Sequence, residues 1–249
     1  MKTATKVLPN IKETDNRKRI LVVDDHPMTR EGIVQWLRHE PDFDVCYEAE
    51  NASQAIDAIV SKRPDIVLTD ITLPGRSGLE LIKDIHAMKP DLPVLVVSMH
   101  DESLYAERAL RAGARGYIMK HESGMKVVEA VRWVLGGQVY VSEKTSARVL
   151  GLFSGQGKAA LSSRYGIERL SDREFDVFQF LGQGLSAHEI GARLNLCAKT
   201  IDAHRANIKR KLSIKTTPEL ISYAAQWTTH QTHVAPKQVG TKIRTSIYY

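Results

Sequence analysis

The sequence predicts two folded parts, an α/β domain with a five-stranded parallel sheet and a smaller all-α domain. Three observations lead to this prediction. The 249 residues exceed one ordinary domain and suit a medium-sized and a small one. Short β-branched runs alternate with helical patterns in the first half of the chain. After a stretch that contains Gly and Ser only helical patterns return, which favours a second core.

Five short apolar runs are the predicted strands of the first domain. They cover residues 20–23, 45–47, 66–68, 94–97 and 116–119. Nearly unbroken apolar character is typical of strands buried on both faces of a parallel sheet. Amphipathic segments follow them, over residues 29–39, 53–63, 78–88, 103–112 and 125–135. Five such units predict a doubly wound, flavodoxin-like sheet of strand order 2-1-3-4-5, which binds ligands beyond the carboxyl ends of its strands.

The second half of the chain shows helical patterns with explicit start signals. The predicted helices cover residues 172–183, 187–195, 199–212 and 218–227, after one short possible helix over 143–153. Ser171 and Ser186 each open a Ser-x-x-Glu capping box, and Thr217 precedes a first-turn proline. Gly184 can end the first helix in a left-handed conformation. We therefore expect a disordered extension over 1–18, the α/β domain over 19–138, a linker over 139–165, a helical domain over 166–228 and a flexible tail over 229–249.

Composition excludes a membrane-embedded protein and points to two electrostatic tasks. No apolar run approaches the ~18 residues that span a bilayer, and residues 1–18 lack the apolar stretch of a secretory signal. Cys46 and Cys197 are far apart in sequence, which favours a reducing compartment, so we expect a cytoplasmic protein without membrane partners. Residues 19–138 carry 14 Lys or Arg against 19 Asp or Glu, whereas every flanking segment is net positive.

Polar side chains end four of the predicted strands. Asp24 and Asp25 follow the first strand and Asp70 follows the third, its neighbour in the expected order. Clustered carboxylates repel unless a cation joins them, and Mg²⁺ prefers such hard oxygen ligands. Ser98 ends the fourth strand and Lys120 the fifth. A carboxylate, a divalent cation, a hydroxyl and an ammonium around one point are what phosphoryl transfer to an aspartate requires. We therefore expect Asp70 to become phosphorylated.

The motifs around these residues resemble the receiver domains of two-component response regulators over residues 19–138. They read Leu-Val-Val-Asp-Asp-His from Leu21, Asp-Ile-Thr-Leu-Pro-Gly from Asp70, Ser-Met-His from Ser98 and Gly-Tyr-Ile-Met-Lys from Gly116. The sequence departs from many receivers at His121, where they have the proline that directly follows the lysine. Since proline supplies backbone shape and no reacting group, the chemistry is unaffected.

The resemblance implies a role for each residue of the site. Asp70 would accept phosphate from a sensor histidine kinase. The implied ligands of Mg²⁺ are Asp24, Asp25, Asp70 and the backbone carbonyl of Thr72. The implied contacts of the phosphoryl oxygens are Ser98 and Lys120. Tyr117 would be the aromatic switch, whose ring turns inward when the serine hydroxyl moves to the phosphate.

Two predicted helices joined by a short turn over residues 185–212 have helix-turn-helix spacing. In the second helix Ile201, His204, Ile208 and Leu212 recur at helical intervals and predict a buried face, with His204 structural. Residues 199–215 carry six Lys or Arg against one Asp, so the free face is basic. Arg and Lys there can meet phosphates, and Arg and Asn side chains suit base edges. The candidate DNA contacts are Lys199, Thr200, Asp202, Ala203, Arg205, Asn207, Lys209 and Arg210.

The motifs of this region read Leu-Ser-Asp-Arg-Glu from Leu170, Gly-Leu-Ser from Gly184 and Glu-Ile-Gly from Glu189, followed by the basic helix over 199–212. With them, residues 166–228 are similar to the effector domain of the NarL/FixJ (LuxR-type) family. This resemblance implies that residues 199–212 form the recognition helix and that 218–227 help to form a homodimer. A transcriptional regulator released by phosphorylation is therefore the main hypothesis. The first alternative is a phosphatase of the haloacid dehalogenase type, but such enzymes need a second acid where Thr72 stands, and turnover of phosphate esters distinguishes them. The second is an interaction module with a vestigial pocket, which would not respond to Mg²⁺ and a phosphate mimic.

Overall fold

The computed structural model describes residues 17–143, 145–147 and 166–232 of the chain. By its internal contacts the chain divides into two units, Met1–Phe153 and Ser154–Tyr249, and each has buried apolar residues of its own. The domain boundaries drawn from the sequence stay predictions. Outside the described residues lie most of the predicted N-terminal extension, most of the linker with the end of its possible helix, and the tail from residue 233.

The first unit contains a five-stranded, all-parallel sheet, as predicted. Its strands are β1 (Lys18–Val23), β2 (Phe43–Ala49), β3 (Ile66–Thr69), β4 (Val94–Ser98) and β5 (Gly116–Met119). The strand order is β2-β1-β3-β4-β5, which confirms the expected order. In the parallel registers Val23 is level with Thr69 and Ser98 is level with Met119. The carboxyl ends of these strands therefore meet along one edge, where the polar residues follow.

Five helices alternate with these strands, and each begins within two residues of its predicted start. They are α1 (Pro27–Arg38), α2 (Ala52–Lys62), α3 (Gly78–Met88), α4 (Glu102–Ala112) and α5 (Gly124–Leu135). Strand β2 lies at the edge of the sheet and extends beyond its predicted bounds at both ends. There Asp44 and Glu48 alternate with apolar residues and interrupt the apolar run that marked the central strands.

The core of this unit explains the unbroken apolar runs. Ile20 and Val22 pack with residues of α1 and α5, such as Leu37 and Val131, in one buried cluster. Leu21 lies on the opposite face of the same strand and is equally buried. Burial of each such side chain contributes about 1.5–3 kcal/mol, so both faces of the sheet hold the strand ends in place.

The second unit is all-helical between residues 166 and 232, as predicted, and no strand occurs in that range. A 3₁₀ turn (Ile167–Arg169) precedes α6 (Asp172–Gly182), α7 (Ala187–Leu194), α8 (Ala198–Leu212) and α9 (Thr217–Thr232). The rings of Phe175 and Phe178 pack edge-on against Trp227, with centroid distances of 5.5 and 5.7 Å. These aromatic contacts join α6 to α9.

The capping boxes predicted at Ser171 and Ser186 are present, each with its Glu at the third helical position. Gly184 has a φ of +83°, and its N–H and that of Leu185 close the end of α6, as predicted.

Helix α9 departs from the prediction at both ends. Its cap is Thr216, whose Oγ1 accepts from the Glu219 N–H at 3.3 Å, while the Glu219 carboxylate accepts from the Thr216 N–H. The predicted cap, Thr217, is already helical. The helix also continues to Thr232, so the predicted tail was wrong for residues 229–232. Polar residues there hid the helical pattern, although Thr229 bonds back to the Ala225 carbonyl.

Candidate functional site

The side chain of Asp70 lies at the centre of the polar edge and is 4% exposed. Its Oδ1 accepts hydrogen bonds from Ser98 Oγ at 2.7 Å and from the Ile71 N–H at 2.6 Å. Its Oδ2 accepts from Lys120 Nζ at 2.7 Å. Backbone bonds align the strand ends, because the Asp70 N–H donates to the Val23 carbonyl and the Lys120 N–H to the Ser98 carbonyl. The structure therefore brings together the three groups that the sequence placed on three separate strands.

Lys120 is shared between two carboxylates. Its Nζ lies 2.7 Å from Asp70 Oδ2 and 2.7 Å from Asp24 Oδ2. Burial alone lowers the pKa of Lys120, but the charges and hydrogen bonds of Asp70 and Asp24 outweigh burial and raise that pKa. The ammonium therefore stays charged.

The acidic cluster suits a divalent cation. One ligand atom from each of Asp24, Asp25, His26 and Asp70 lies within 4.8 Å of the others. Asp24 Oδ2 and Asp25 Oδ1 are buried; Asp24 Oδ2 lies 2.7 Å from Lys120 Nζ, and Asp25 Oδ1 lies 2.8 Å from His26 Nδ1. Burial raises the pKa of Asp25; nearby His26 opposes this rise, whereas Asp24 and Asp70 add to it. Buried carboxylate oxygens that cluster in this way fit a hard cation such as Mg²⁺. The carbonyl of Thr72 as a further ligand stays a prediction.

His100, in the loop after β4, is a central residue of the site that the sequence reasoning missed. Its Nε2 is hydrogen-bonded to Thr72 Oγ1 at 2.7 Å, and its N–H donates to Ser98 Oγ at 3.3 Å. Its ring packs on Tyr105 with a centroid distance of 4.6 Å. Burial lowers the pKa of His100, although Asp70 opposes this shift, so the imidazole is neutral. The only signal in the sequence was its position two residues after Ser98.

Tyr117 is 1% exposed and points into the domain. Its hydroxyl donates to the His100 backbone carbonyl at 2.7 Å. Burial raises the pKa of Tyr117, so the phenol remains protonated. The inward Tyr117 ring and the Ser98 hydroxyl at Asp70 therefore occur together in this structure. The switch role of Tyr117 stays a prediction.

Gly78, the first residue of α3, lies directly against the backbone of the acceptor. A Cβ built on Gly78 would lie 1.9 Å from the carbonyl oxygen of Asp70. The Gly78 N–H donates to the Ile71 carbonyl at 2.7 Å, and a Ser77–Glu80 capping box opens the helix. The loop after Asp70 is therefore closed by a contact that only glycine permits.

Helix α8 presents the predicted DNA contacts in the second unit. Ile201 and Ile208 are buried, while His204 and Leu212 are half-buried, so the predicted inner face is confirmed. Burial lowers the pKa of His204, although Glu174 opposes this, which suits a structural imidazole. The predicted contacts are exposed or partly exposed: Lys199, Thr200, Asp202, Ala203, Arg205, Asn207, Lys209 and Arg210.

Several polar side chains of α8 bond within the protein. Arg205 pairs with Asp202 at 3.0 Å, and Arg210 donates to the Asn207 side chain at 3.1 Å. Lys211, which the sequence counted with the basic face, instead donates to Glu174 of α6 at 2.6 Å. This contact joins α8 to α6.

Among the described helices, none combines the length and the apolar character needed to cross a bilayer. Two family models match the chain, the response regulator receiver domain over residues 20–132 and the bacterial regulatory proteins of the luxR family over residues 168–224. One match lies in each of the two units described above.

Related proteins match nearly end to end. The oxygen regulatory protein NreC of Staphylococcus carnosus is 32% identical over 208 residues, which are 83% of this chain and 96% of NreC. The transcriptional regulatory protein DegU of Brevibacillus brevis is 31% identical, with 82% and 92% covered. RcsB of Salmonella enterica serovar Typhimurium, solved on the promoter rprA with a phosphomimetic, is 25% identical, with 84% and 99% covered and a TM-score of 0.55. The chain therefore belongs to the NarL/FixJ-type two-component response regulators, which join a receiver domain to a LuxR-type DNA-binding domain.

Proposed function

We propose that phosphorylation of Asp70 by a sensor histidine kinase switches this transcriptional regulator. The observation that carries the proposal is the environment of the Asp70 carboxylate, which Ser98 and Lys120 hold from two sides at 2.7 Å. A carboxylate oriented by a hydroxyl and an ammonium is prepared to attack phosphorus and to hand both donors to the new phosphoryl group.

The transfer is a displacement at phosphorus. An Asp70 oxygen attacks the phosphohistidine phosphorus, the P–N bond breaks, and the kinase imidazole leaves with the electron pair. Asp24, Asp25, Asp70 and the Thr72 carbonyl would hold Mg²⁺, which neutralises charge on the transferred group. Ser98 and Lys120 then donate to the phosphoryl oxygens. The receiver would catalyse only its own phosphorylation and dephosphorylation, and no other turnover is proposed.

The output is DNA binding by α8. The exposed Lys199 would meet a phosphate, and Asn207 could contact base edges once Arg210 releases it. The promoter complex of RcsB supports this role. Phosphorylation adds about 1.5–2 negative charges and shifts a population from a masked form towards a dimer that binds two half-sites. Kinase transfer and DNA binding would both take place in the cytoplasm.

The test is the substitution Asp70→Asn. We expect it to abolish labelling by acetyl phosphate with Mg²⁺ and to remove the phosphorylation-dependent gain in DNA affinity. Asp57→Asn is the matched control, because it removes the same charge from an exposed position on α2. Undiminished labelling of the Asp70 variant would refute the acceptor assignment.

A further inference from the structure

The chain after α5 returns along the outer edge of β5. Tyr140 forms a parallel bridge with Gly116. The Tyr117 N–H donates to the Tyr140 carbonyl at 2.7 Å, and the Tyr140 N–H donates to the Arg115 carbonyl at 3.0 Å. Because β5 is the last strand of the sheet, these bonds cover an edge that would otherwise present unpaired backbone groups.

The fit of this segment against β5 is close. A Cβ built on Gly116 would lie 2.9 Å from the Tyr140 carbonyl oxygen and 2.9 Å from a Leu95 methyl. Tyr140 is partly buried and packs against the core cluster between the sheet and helices α1 and α5. The segment is therefore built into the receiver at this point.

A second anchor lies two residues further on. The Ser142 N–H donates to Glu102 Oε1 at 2.7 Å. Ser142 Oγ accepts from the Thr145 N–H at 3.2 Å and so caps a new helical turn, in which Thr145 is only 3% exposed. We call residues 139–143 and 145–147 the output strap, since in the chain they follow the receiver and precede the DNA-binding half.

Both anchors adjoin the phosphoryl-acceptor site. Tyr117 binds the strap with its backbone N–H and binds the His100 carbonyl with its hydroxyl. Glu102 is the first residue of α4 and follows His100 by two positions, so a shift of the loop after Ser98 carries Glu102 with it. The strap is therefore attached to β5 and to α4. Both elements adjoin the loop after Ser98, whose hydroxyl binds Asp70.

We propose that the output strap transmits the state of Asp70 to the DNA-binding domain by docking on β5 and Glu102. This inference rests on the proposed function. In the structure the strap is docked while the Tyr117 ring points inward and the Ser98 hydroxyl lies at Asp70. A phosphoryl group on Asp70 would hold Ser98 and Tyr117 in these same positions, and so phosphorylation stabilises docking. Docking fixes where the linker leaves the receiver and so favours the DNA-binding form.

The test compares Glu102→Ala with Glu102→Gln in the full chain. Both variants lose the charge, but only the alanine variant loses the oxygen that accepts from Ser142. One hydrogen bond changes an equilibrium by roughly 2- to 12-fold. We expect Glu102→Ala to be labelled at Asp70 as fully as the wild type, while its gain in DNA affinity with acetyl phosphate and Mg²⁺ falls at least threefold. Glu102→Gln should keep most of that gain.

The other outcomes are equally decisive. The proposal is overturned if the alanine variant keeps the full gain in DNA affinity, or if the glutamine variant loses as much of that gain as the alanine variant. Reduced labelling of the alanine variant also overturns it, because the residue would then act on the acceptor site. If the wild type itself takes no label at Asp70, the proposed function has failed. Labelling of the wild type thus distinguishes a failure of the proposed function from a failure of the strap proposal.

Hydrogen exchange gives an independent measurement. The amides of Tyr140 and Ser142 are hydrogen-bonded in the docked strap. We expect acetyl phosphate with Mg²⁺ to slow their exchange in the wild type and to leave it unchanged in Asp70→Asn. Exchange that is unaffected by the phosphodonor in a labelled wild-type sample contradicts the proposal.

Discussion

Asp24 and Asp70 share one buried ammonium, that of Lys120. Asp25, beside them, instead contacts His26, whose Nδ1 lies 2.8 Å from Asp25 Oδ1. Burial raises the pKa of Asp25 in spite of His26. The ionised Asp25 is thus held in an unfavourable place, and binding of a cation offsets that cost.

Substitution of Asp25 should therefore separate stability from function. We expect Asp25→Asn to raise the free energy of unfolding by about 1 kcal/mol without Mg²⁺, because a like charge is removed. Millimolar Mg²⁺ should stabilise the wild type and have little effect on the variant. Urea unfolding at pH 7 with and without Mg²⁺ measures both effects. The interpretation is wrong if the variant is less stable in metal-free buffer or gains as much from Mg²⁺.

At this scale the sequence was informative wherever a residue ends a strand. The placement of Asp70, Ser98 and Lys120 follows from the order of the strands, because each side chain comes directly after a buried run. The contacts of His100 could not be predicted in this way. They depend on where a loop folds back against Thr72 and Tyr105, and no periodic pattern encodes that position.

Helix ends are the element-scale features that the sequence marks best. Ser171 and Ser186 follow a fixed pattern of a hydroxyl and a glutamate three positions later, and both caps form. The same pattern is present at Thr216 and Glu219, but the proline at 218 drew the prediction one residue too far. Two overlapping start signals, the Thr216–Glu219 capping pattern and the Thr217–Pro218 pair, therefore compete at this helix end.

The neighbouring threonines allow a direct test of the α9 cap. We expect Thr216→Ala to lower the free energy of unfolding by about 1 kcal/mol, since the Glu219 N–H loses its acceptor. Thr217→Ala should cost less than half as much, because its hydroxyl has only a 3.5 Å contact with Lys209. Denaturant unfolding of the two variants compares them, and equal losses contradict the assigned cap.

Elements at the edges of the sheet were harder to predict, because polar and apolar residues alternate in them or because they pair with the sheet at a single point. Strand β2 mixes polar and apolar residues at one side of the sheet, and Tyr140 pairs with β5 through a single bridge. A single bridge leaves no run of side chains to recognise. The output strap therefore appeared in the sequence only as the beginning of a linker.

At the scale of the whole molecule the two halves carry opposite charge. The predicted α/β region is net acidic, and residues 199–215 are strongly basic. Basic side chains can bind nucleic acid or support the fold, and formal charge alone does not distinguish these roles. Lys199 is exposed, whereas Lys211 is bound to the buried carboxylate of Glu174.

The salt dependence of DNA binding separates these two lysines. We expect Lys199→Ala to reduce the slope of log affinity against log salt concentration by about 1, because one phosphate contact is lost. Lys211→Ala should leave the slope unchanged and lower the free energy of unfolding by about 1 kcal/mol, after allowance for its partial exposure. A reduced slope for the Lys211 variant would show that it, too, contacts DNA.

The contact of Gly78 with the Asp70 backbone limits which mutations the receiver tolerates. Any side chain at position 78 would displace either the start of α3 or the peptide that carries the acceptor. Random mutagenesis followed by selection for activity should therefore deplete every substitution at this codon. One of the positions least open to evolutionary change is thus a glycine with no side chain to offer the phosphate.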